Sequence, residues 1–148
     1  MAVIYTVDAS VFVSAFRPRE LRHIDSFRFL EYVKAQAFPI IVPTLLLPEI
    51  AAAVGRGSKN PVLAREFTDT VNRWPNLMMV PLDDVLAQQA ADVAADYRLR
   101  GSDAVYGAVA LRFGSTLVTL DQEQAARVAS VLTTQNPLEA LTTLEGNS

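Results

Sequence analysis

The 148-residue chain is 51% hydrophobic and 20% charged, which places it among globular domains and far from disordered ones, and a chain of this length buries roughly 70% of the surface its unfolded form exposes. It has no cysteine, so thiol nucleophiles, zinc-thiolate sites and disulfide frameworks are excluded together. A net charge of -3 argues against a generally polyanion-seeking surface, but the charge is uneven: Arg17 to Arg73 holds nine basic and six acidic residues, the remainder four and ten.

Val3-Ile4-Tyr5-Thr6-Val7 is a β-rich run ended by Asp8, and a helix is expected from about Ser10 to Phe16. After the break at Arg17-Pro18-Arg19, Asp25 or Ser26 can cap a helix with an apolar face drawn from Phe27, Leu30, Tyr32 and Val33. A strand follows at Pro39 to Val42, then a helix capped by Thr44 in which Pro48 is tolerable because it lies near the first turn. Gly55 to Pro61 reads as an exposed basic loop, leading into a helix with Leu63, Phe67 and Val71 on one face.

Leu77 to Val80 is expected as a third strand, and Asp83 to about Leu99 as a long helix that Gly101 terminates. A helix from Ser102 or Asp103 to Phe113 is closed by Gly114, and Thr116 to Leu120 reads as a strand. A short helix near Gln124 to Ala129, a strand at Val131 to Thr133 and a helix after Pro137 complete the chain. Strands alternating with helices imply a single α/β domain over residues 1–148, three-layered α/β/α, with a central parallel sheet, because parallel neighbours need a crossover.

In such folds ligands collect beyond the carboxyl ends of the strands, where strand order reverses. Asp8 and Asp121 follow two expected strands, and Glu49 and Asp103 lie in the first turns of helices leaving the same edge. A carboxylate beside buried surface loses hydration worth several kcal/mol unless a cation compensates, and few basic residues neighbour these four in sequence. A divalent metal would supply that charge. Each acid also has a purely structural alternative: Asp8, Asp103 and Asp121 as helix caps, Glu49 in an ion pair with Arg56 or Lys59. Ser10 and Thr119 stand two residues from Asp8 and Asp121, where hydroxyls can orient the carboxylates or serve a turn. Glu123 and Asp96 are better placed on exposed helix surface.

Other chemistries fit poorly. His23 is the only histidine, so a metal-free ribonuclease with a histidine acid and a histidine base is ruled out, and the serine-hydrolase Gly-x-Ser-x-Gly signature is missing. Neither phosphate-cradling glycine motif occurs after a strand. Hard oxygen ligation of Mg²⁺, with Mn²⁺ as the alternative, remains, and such an ion needs from the protein mainly acids and position. Asp8 interrupts the apolar N-terminal run with no basic residue before it, and the uncharged stretch Ala35 to Pro48 contains three prolines and is too short to span about 30 Å of hydrocarbon. A cytoplasmic protein without a membrane association is expected.

Asp8-Ala9-Ser10, Pro48-Glu49, Leu99-Arg100-Gly101-Ser102-Asp103-Ala104 and Thr119-Leu120-Asp121, taken in order, resemble the PIN-domain nucleases, most closely the VapC-type toxins of prokaryotic toxin–antitoxin pairs. The resemblance covers nearly the whole chain. It implies that Asp8, Glu49, Asp103 and Asp121 are the catalytic and metal-binding acids, with Ser10 and Thr119 as their supports, and that the product is an RNA strand cut to leave a 5′-phosphate. It further implies a VapB-type antitoxin as partner. A homodimer is expected, and Arg17, Arg19, Arg22, Arg56 and Lys59 are candidate RNA phosphate contacts. Some members carry a further acid after the last motif, where this chain has Gln122 and then Glu123. Two other classes compete: a metal-dependent phosphatase or phosphotransfer domain, and an inactive binding module on the same fold. Against the first, Ser10 stands where a dehalogenase-like pattern wants a second acid, and the early acidic pair and late lysine of a receiver domain are missing.

Overall fold

The computed structural model describes residues 3–146. In chain order the elements are β1 (Tyr5–Val7), α1 (Ala9–Phe16), α2 (His23–Ala35), β2 (Ile40–Pro43), α3 (Leu46–Ser58), α4 (Pro61–Asn72), β3 (Leu77–Val80), α5 (Asp84–Tyr97), α6 (Gly101–Phe113), β4 (Thr116–Val118), α7 (Gln122–Val128), β5 (Thr134–Gln135) and α8 (Pro137–Gly146). The five strands form one all-parallel sheet in the order β3-β2-β1-β4-β5. Strand order reverses between β1 and β4, where Tyr5 pairs with Thr116 and Val7 with Val118.

The two-residue period of a strand sends alternate side chains to opposite faces, and the core divides accordingly. Ile40 and Val42 enter a larger cluster with Tyr5, Val7, Phe12, Phe29 and Val33, under α1, α2 and α3. Ile41, between them, enters a smaller one with Val80, Leu86, Ala108 and Val109, under α5 and α6. Helices therefore cover both faces, as the three-layer expectation requires. Burying each such aliphatic side chain is worth about 1.5–3 kcal/mol, so the sheet is held from both sides.

Several expectations are corrected. Gly55 to Ser58 is the last turn of α3 rather than a loop: the Ser58 hydroxyl donates to the Val54 carbonyl at 2.6 Å, and the turn ends at Lys59, with φ 56°. Thr44 does not cap α3; its hydroxyl oxygen accepts from the Leu82 amide, tying α3's entry to the chain after β3. α5 ends at Arg98, which adopts the left-handed conformation, φ 57°, so Gly101 opens α6 instead of closing α5. Gly114, with φ 62°, does terminate α6.

α2 begins at His23 and buries Ser26, Phe29, Leu30 and Val33, leaving Phe27 exposed against the His23 ring. Phe67 packs its ring on Phe16 at 4.6 Å and Val71 is buried, so these two residues of α4 serve the interior. The final strand, Thr134–Gln135, begins three residues later than expected because the Leu132 amide closes a turn onto the Val128 carbonyl.

Candidate active site

Asp8 terminates β1 and caps α1. Its amide continues the sheet ladder to the Val118 carbonyl, while its carboxylate turns back and accepts from the Ser10 amide at 3.0 Å. The Ser10 hydroxyl donates to the same oxygen, Oδ1, and the Thr119 hydroxyl donates to Oδ2 from the neighbouring strand end. Ser10 Oγ in turn accepts from the Leu120 amide, and Thr119 Oγ1 from the Asp121 amide at 3.1 Å. Asp121 caps α7 through the Gln124 amide. Both structural alternatives for these two acids are thus real, and both carboxylates nevertheless line one cleft.

That cleft, about 220 Å³, is bounded by Asp8, Ala9, Ser10, Glu49, Arg100, Ser102, Asp103, Tyr106 and Asp121. All four sequence-predicted acids meet there, at the carboxyl edge of the sheet and beside the reversal of strand order. Asp103 is not a cap, since α6 starts from Arg100 without a side-chain bond. Glu49 projects from the first turn of α3 and accepts a 2.6 Å hydrogen bond from the Tyr106 hydroxyl; among the described residues it makes no ion pair with Arg56 or Lys59.

The electrostatics record a shortage of positive charge. Asp8 is pushed up to about 6, chiefly by burial and further by Asp103, against the pull of the Ser10 and Thr119 hydrogen bonds. Burial raises Glu49 as well; the Tyr106 bond opposes that rise and Asp103 adds to it. Asp103 is raised by burial and then by Asp121, with Arg100 partly offsetting both. Tyr106 is driven far above the phenol range by burial and by Glu49, so its hydroxyl remains a donor.

The donor set is oxygen-only and net negative, which suits a hard divalent cation. Among the described residues no three acidic or histidine side chains converge closely enough to hold an ion by themselves. Magnesium's habit of keeping several waters and taking one or two carboxylates matches this looser arrangement.

The remaining candidates lie elsewhere. Arg17 donates to the Ala53 carbonyl at 2.8 Å and lies against Gly57, where an added Cβ would stand 2.6 Å from its Nη2. With Arg19 it lines a separate cleft of about 690 Å³ at the other end of α1 and α3. Arg22, Arg56 and Lys59 are likewise not among the residues lining the acidic cleft. His23 bonds the Ser14 carbonyl through Nδ1, Glu123 pairs with Arg127 on α7, and Asp96 is exposed. Sequence reasoning missed Arg100, Ser102 and Tyr106. The first two sit in the motif that marks Asp103, and Tyr106 lies one helical turn beyond it.

An all-parallel α/β/α sheet with carboxylates gathered where strand order reverses defines the class. The chain belongs to the PIN-domain family, whose model matches residues 5–130. The fold is similar to that of VapBC2 from Rickettsia felis, solved bound to a DNA fragment from its promoter: TM-score 0.68, 16% identity, 90% of this chain and 98% of that one covered. VapC20 of Mycobacterium tuberculosis, described as a Sarcin-Ricin loop cleaving toxin, aligns with TM-score 0.68 at 18% identity over 83% of this chain and 93% of its own. PAE2754 of Pyrobaculum aerophilum aligns over the full length of both chains, TM-score 0.68, at 22% identity. These identities establish a shared fold. No curated protein sequence matches the chain.

Proposed function

We propose that the protein is a Mg²⁺-dependent endoribonuclease, with Mn²⁺ as a competent substitute, and that it is the toxin of a toxin–antitoxin pair. The observation that carries this reading is the meeting of Asp8, Glu49, Asp103 and Asp121 in one cleft of a PIN-family chain, three of them with carboxyls raised by burial and by one another's charge. Resident carboxylates this short of counter-charge favour a cation-binding role over a structural one.

In this reading Asp8, Asp103 and Asp121 hold the ion, directly or through water, and Glu49 completes the cluster. When bound, the ion would acidify a water and stabilise the leaving oxygen of the phosphodiester. Ser10 and Thr119 fix the Asp8 oxygens, so Asp8 enters the reaction with its rotamer already chosen. Glu49 Oε1 is engaged by Tyr106, which leaves Oε2 to orient the attacking water and receive its proton. Arg100, the one cation among the residues lining the cleft, is suited to a non-bridging phosphate oxygen beside Asp103.

The toxin assignment rests on the motif set and is supported by similarity of fold to VapBC2 from Rickettsia felis and to a toxin–antitoxin complex from Klebsiella pneumoniae. It names a VapB-type antitoxin as the partner. Among the described residues no helix is long and apolar enough to cross a membrane.

One experiment tests the core of the proposal. Purified chain is incubated with a mixed RNA pool in Mg²⁺, in Mn²⁺ and in chelator. Cleavage that leaves 5′-phosphate ends and stops on chelation is expected, and cleavage undiminished by exhaustive chelation sinks the metal mechanism. Co-expression with the neighbouring reading frame tests the second part: a stable complex with suppressed cleavage is expected, and failure to form one counts against the toxin assignment alone.

A further inference from the structure

Tyr106 sits on α6, 2% exposed, one turn after Asp103. Its hydroxyl donates to Glu49 Oε1 at 2.6 Å, across 57 residues of sequence, and Ala9, at the start of α1, lines the same cleft. A single phenol therefore links α6 to α3 in a cleft that the start of α1 also lines. Those are the three segments that bring Glu49, Asp8 and Asp103 to the cleft.

The core does not ask for this hydroxyl. Phenylalanine would fill nearly the same volume and would avoid burying a polar group, which is unfavourable unless bonded. The cleft does ask for it. Asp8 is clamped by Ser10 and Thr119, and Asp121 is held by the Gln124 amide, but Glu49 has a longer side chain with more rotamers to lose. Without a fixed donor its carboxyl would sweep a volume wide compared with the tolerance of a metal or water site.

We propose that Tyr106 is a positioning residue: its hydroxyl pins Glu49 Oε1 and so presents Oε2 to the cation and water of the cleft. The inference rests on the cation-binding reading of that cleft.

The test is a double-mutant cycle on the full-length chain with Mn²⁺ alone as probe, read by calorimetry. Tyr106→Phe and Glu49→Gln are each expected to weaken Mn²⁺ binding about tenfold, and the double variant to be no weaker than Glu49→Gln within about twofold, because the two residues act as one unit. Tyr106→Phe should melt within about 3 °C of the unmodified chain in chelator, which separates positioning from folding. In RNA cleavage the same variant should lose about tenfold in kcat, with KM held within about twofold.

Additive losses in the cycle, unchanged Mn²⁺ affinity in Tyr106→Phe, or a chain that binds no Mn²⁺ at all would each overturn the proposal. The two readings fail separately. Coupled Mn²⁺ binding without RNA cleavage removes the nuclease and leaves the positioning role; full cleavage by Tyr106→Phe does the reverse.

Discussion

Helices α1 and α3 lie side by side, and their two ends meet opposite kinds of surface. At one end Asp8 and Glu49 open on a cleft with four carboxylates and a single arginine. At the other, Phe16, Arg17, Arg19, Glu20, Val54, Gly57 and Ser58 surround a larger hollow in which Arg17 is already committed to the Ala53 carbonyl. A guanidinium bonded to a carbonyl in the C-terminal half of a helix is a stabilising arrangement, since its charge lies toward the helix's negative end. The acids have no such settlement: hydroxyls and amides orient them, yet burial and mutual repulsion hold three of them above their ordinary values. One end is arranged for stability, and the other carries charge that, in the proposed reading, a cation would settle.

The most forceful way to break this contrast is to remove charge at the acidic end. Asp8→Asn, Asp103→Asn and Asp121→Asn should each reduce RNA cleavage by about 10³-fold or more, the scale of losing a group that acts in the transition state. A labelled-RNA assay beside Mn²⁺ calorimetry reads both losses, with the exposed Asp96→Asn as a control expected to change neither. Retained cleavage in any of the three would take that residue out of the chemistry.

The converse change falls at the basic end. Arg17→Ala removes the bond to Ala53 and the packing of the side chain on Gly57, and should lower stability by about 1–2 kcal/mol in urea titrations. Cleavage per folded molecule should stay within about threefold. A selective rise in KM for RNA without loss of stability would instead make Arg17 a phosphate contact and blur the division between the two ends.

A third measurement uses pH to read the strain in the acidic cluster directly. Because the folded-state values of Asp8, Glu49 and Asp103 are raised, the folded chain binds more protons than the unfolded one between about pH 4 and the raised values, near 6 for Asp8. Stability in chelator should therefore fall as pH rises through that window. Asp8→Asn should flatten the fall and leave the metal-free protein equal or more stable, by up to about 1 kcal/mol. Bound Mn²⁺ should reverse the slope, since the cation favours the ionised acids. A metal-free profile that rises with pH would show the carboxylates to be compensated.

The smallest effect is expected for Gly57→Ala. The added Cβ would meet the far end of the Arg17 side chain, which can move aside, so the loss should be below about 1 kcal/mol and should largely vanish in an Arg17→Ala background. Thermal unfolding of the four variants checks this.

How much of this was legible in the sequence varies with the range of the signal. Asp8, Glu49, Asp103 and Asp121 announce themselves locally, as acids ending apolar runs or opening helices, and the parallel sheet follows from the alternation that sets them there. Tyr106 carries no such mark: an aromatic on a buried helix reads as packing, and its partner is 57 residues away. Arg100 likewise carries no mark of its own beyond standing in the motif around Asp103. The last turn of α3 was hidden because Gly55 and Gly57 are poor helix formers. That turn is closed by the Ser58 hydroxyl on Val54 and by the left-handed Lys59 cap, with the Arg17 guanidinium bracing it at Ala53 from 36 residues away. The end of α5 was misplaced because Arg98, rather than a glycine, takes the left-handed cap.

The pairing of β1 with β4 also fixes when the cleft can exist. Asp8 is reached by the Thr119 hydroxyl across 111 residues, and Asp121 follows from the same strand. During synthesis Thr119, which completes the surroundings of the first acid, leaves the ribosome 111 residues after it. A truncated product ending before β4 lacks Thr119 and Asp121 and cannot assemble the four-acid cleft, however well its earlier helices form. For an enzyme whose proposed substrate includes the cell's own RNA, this topology delays the hazard until β4 and Asp121 have been made.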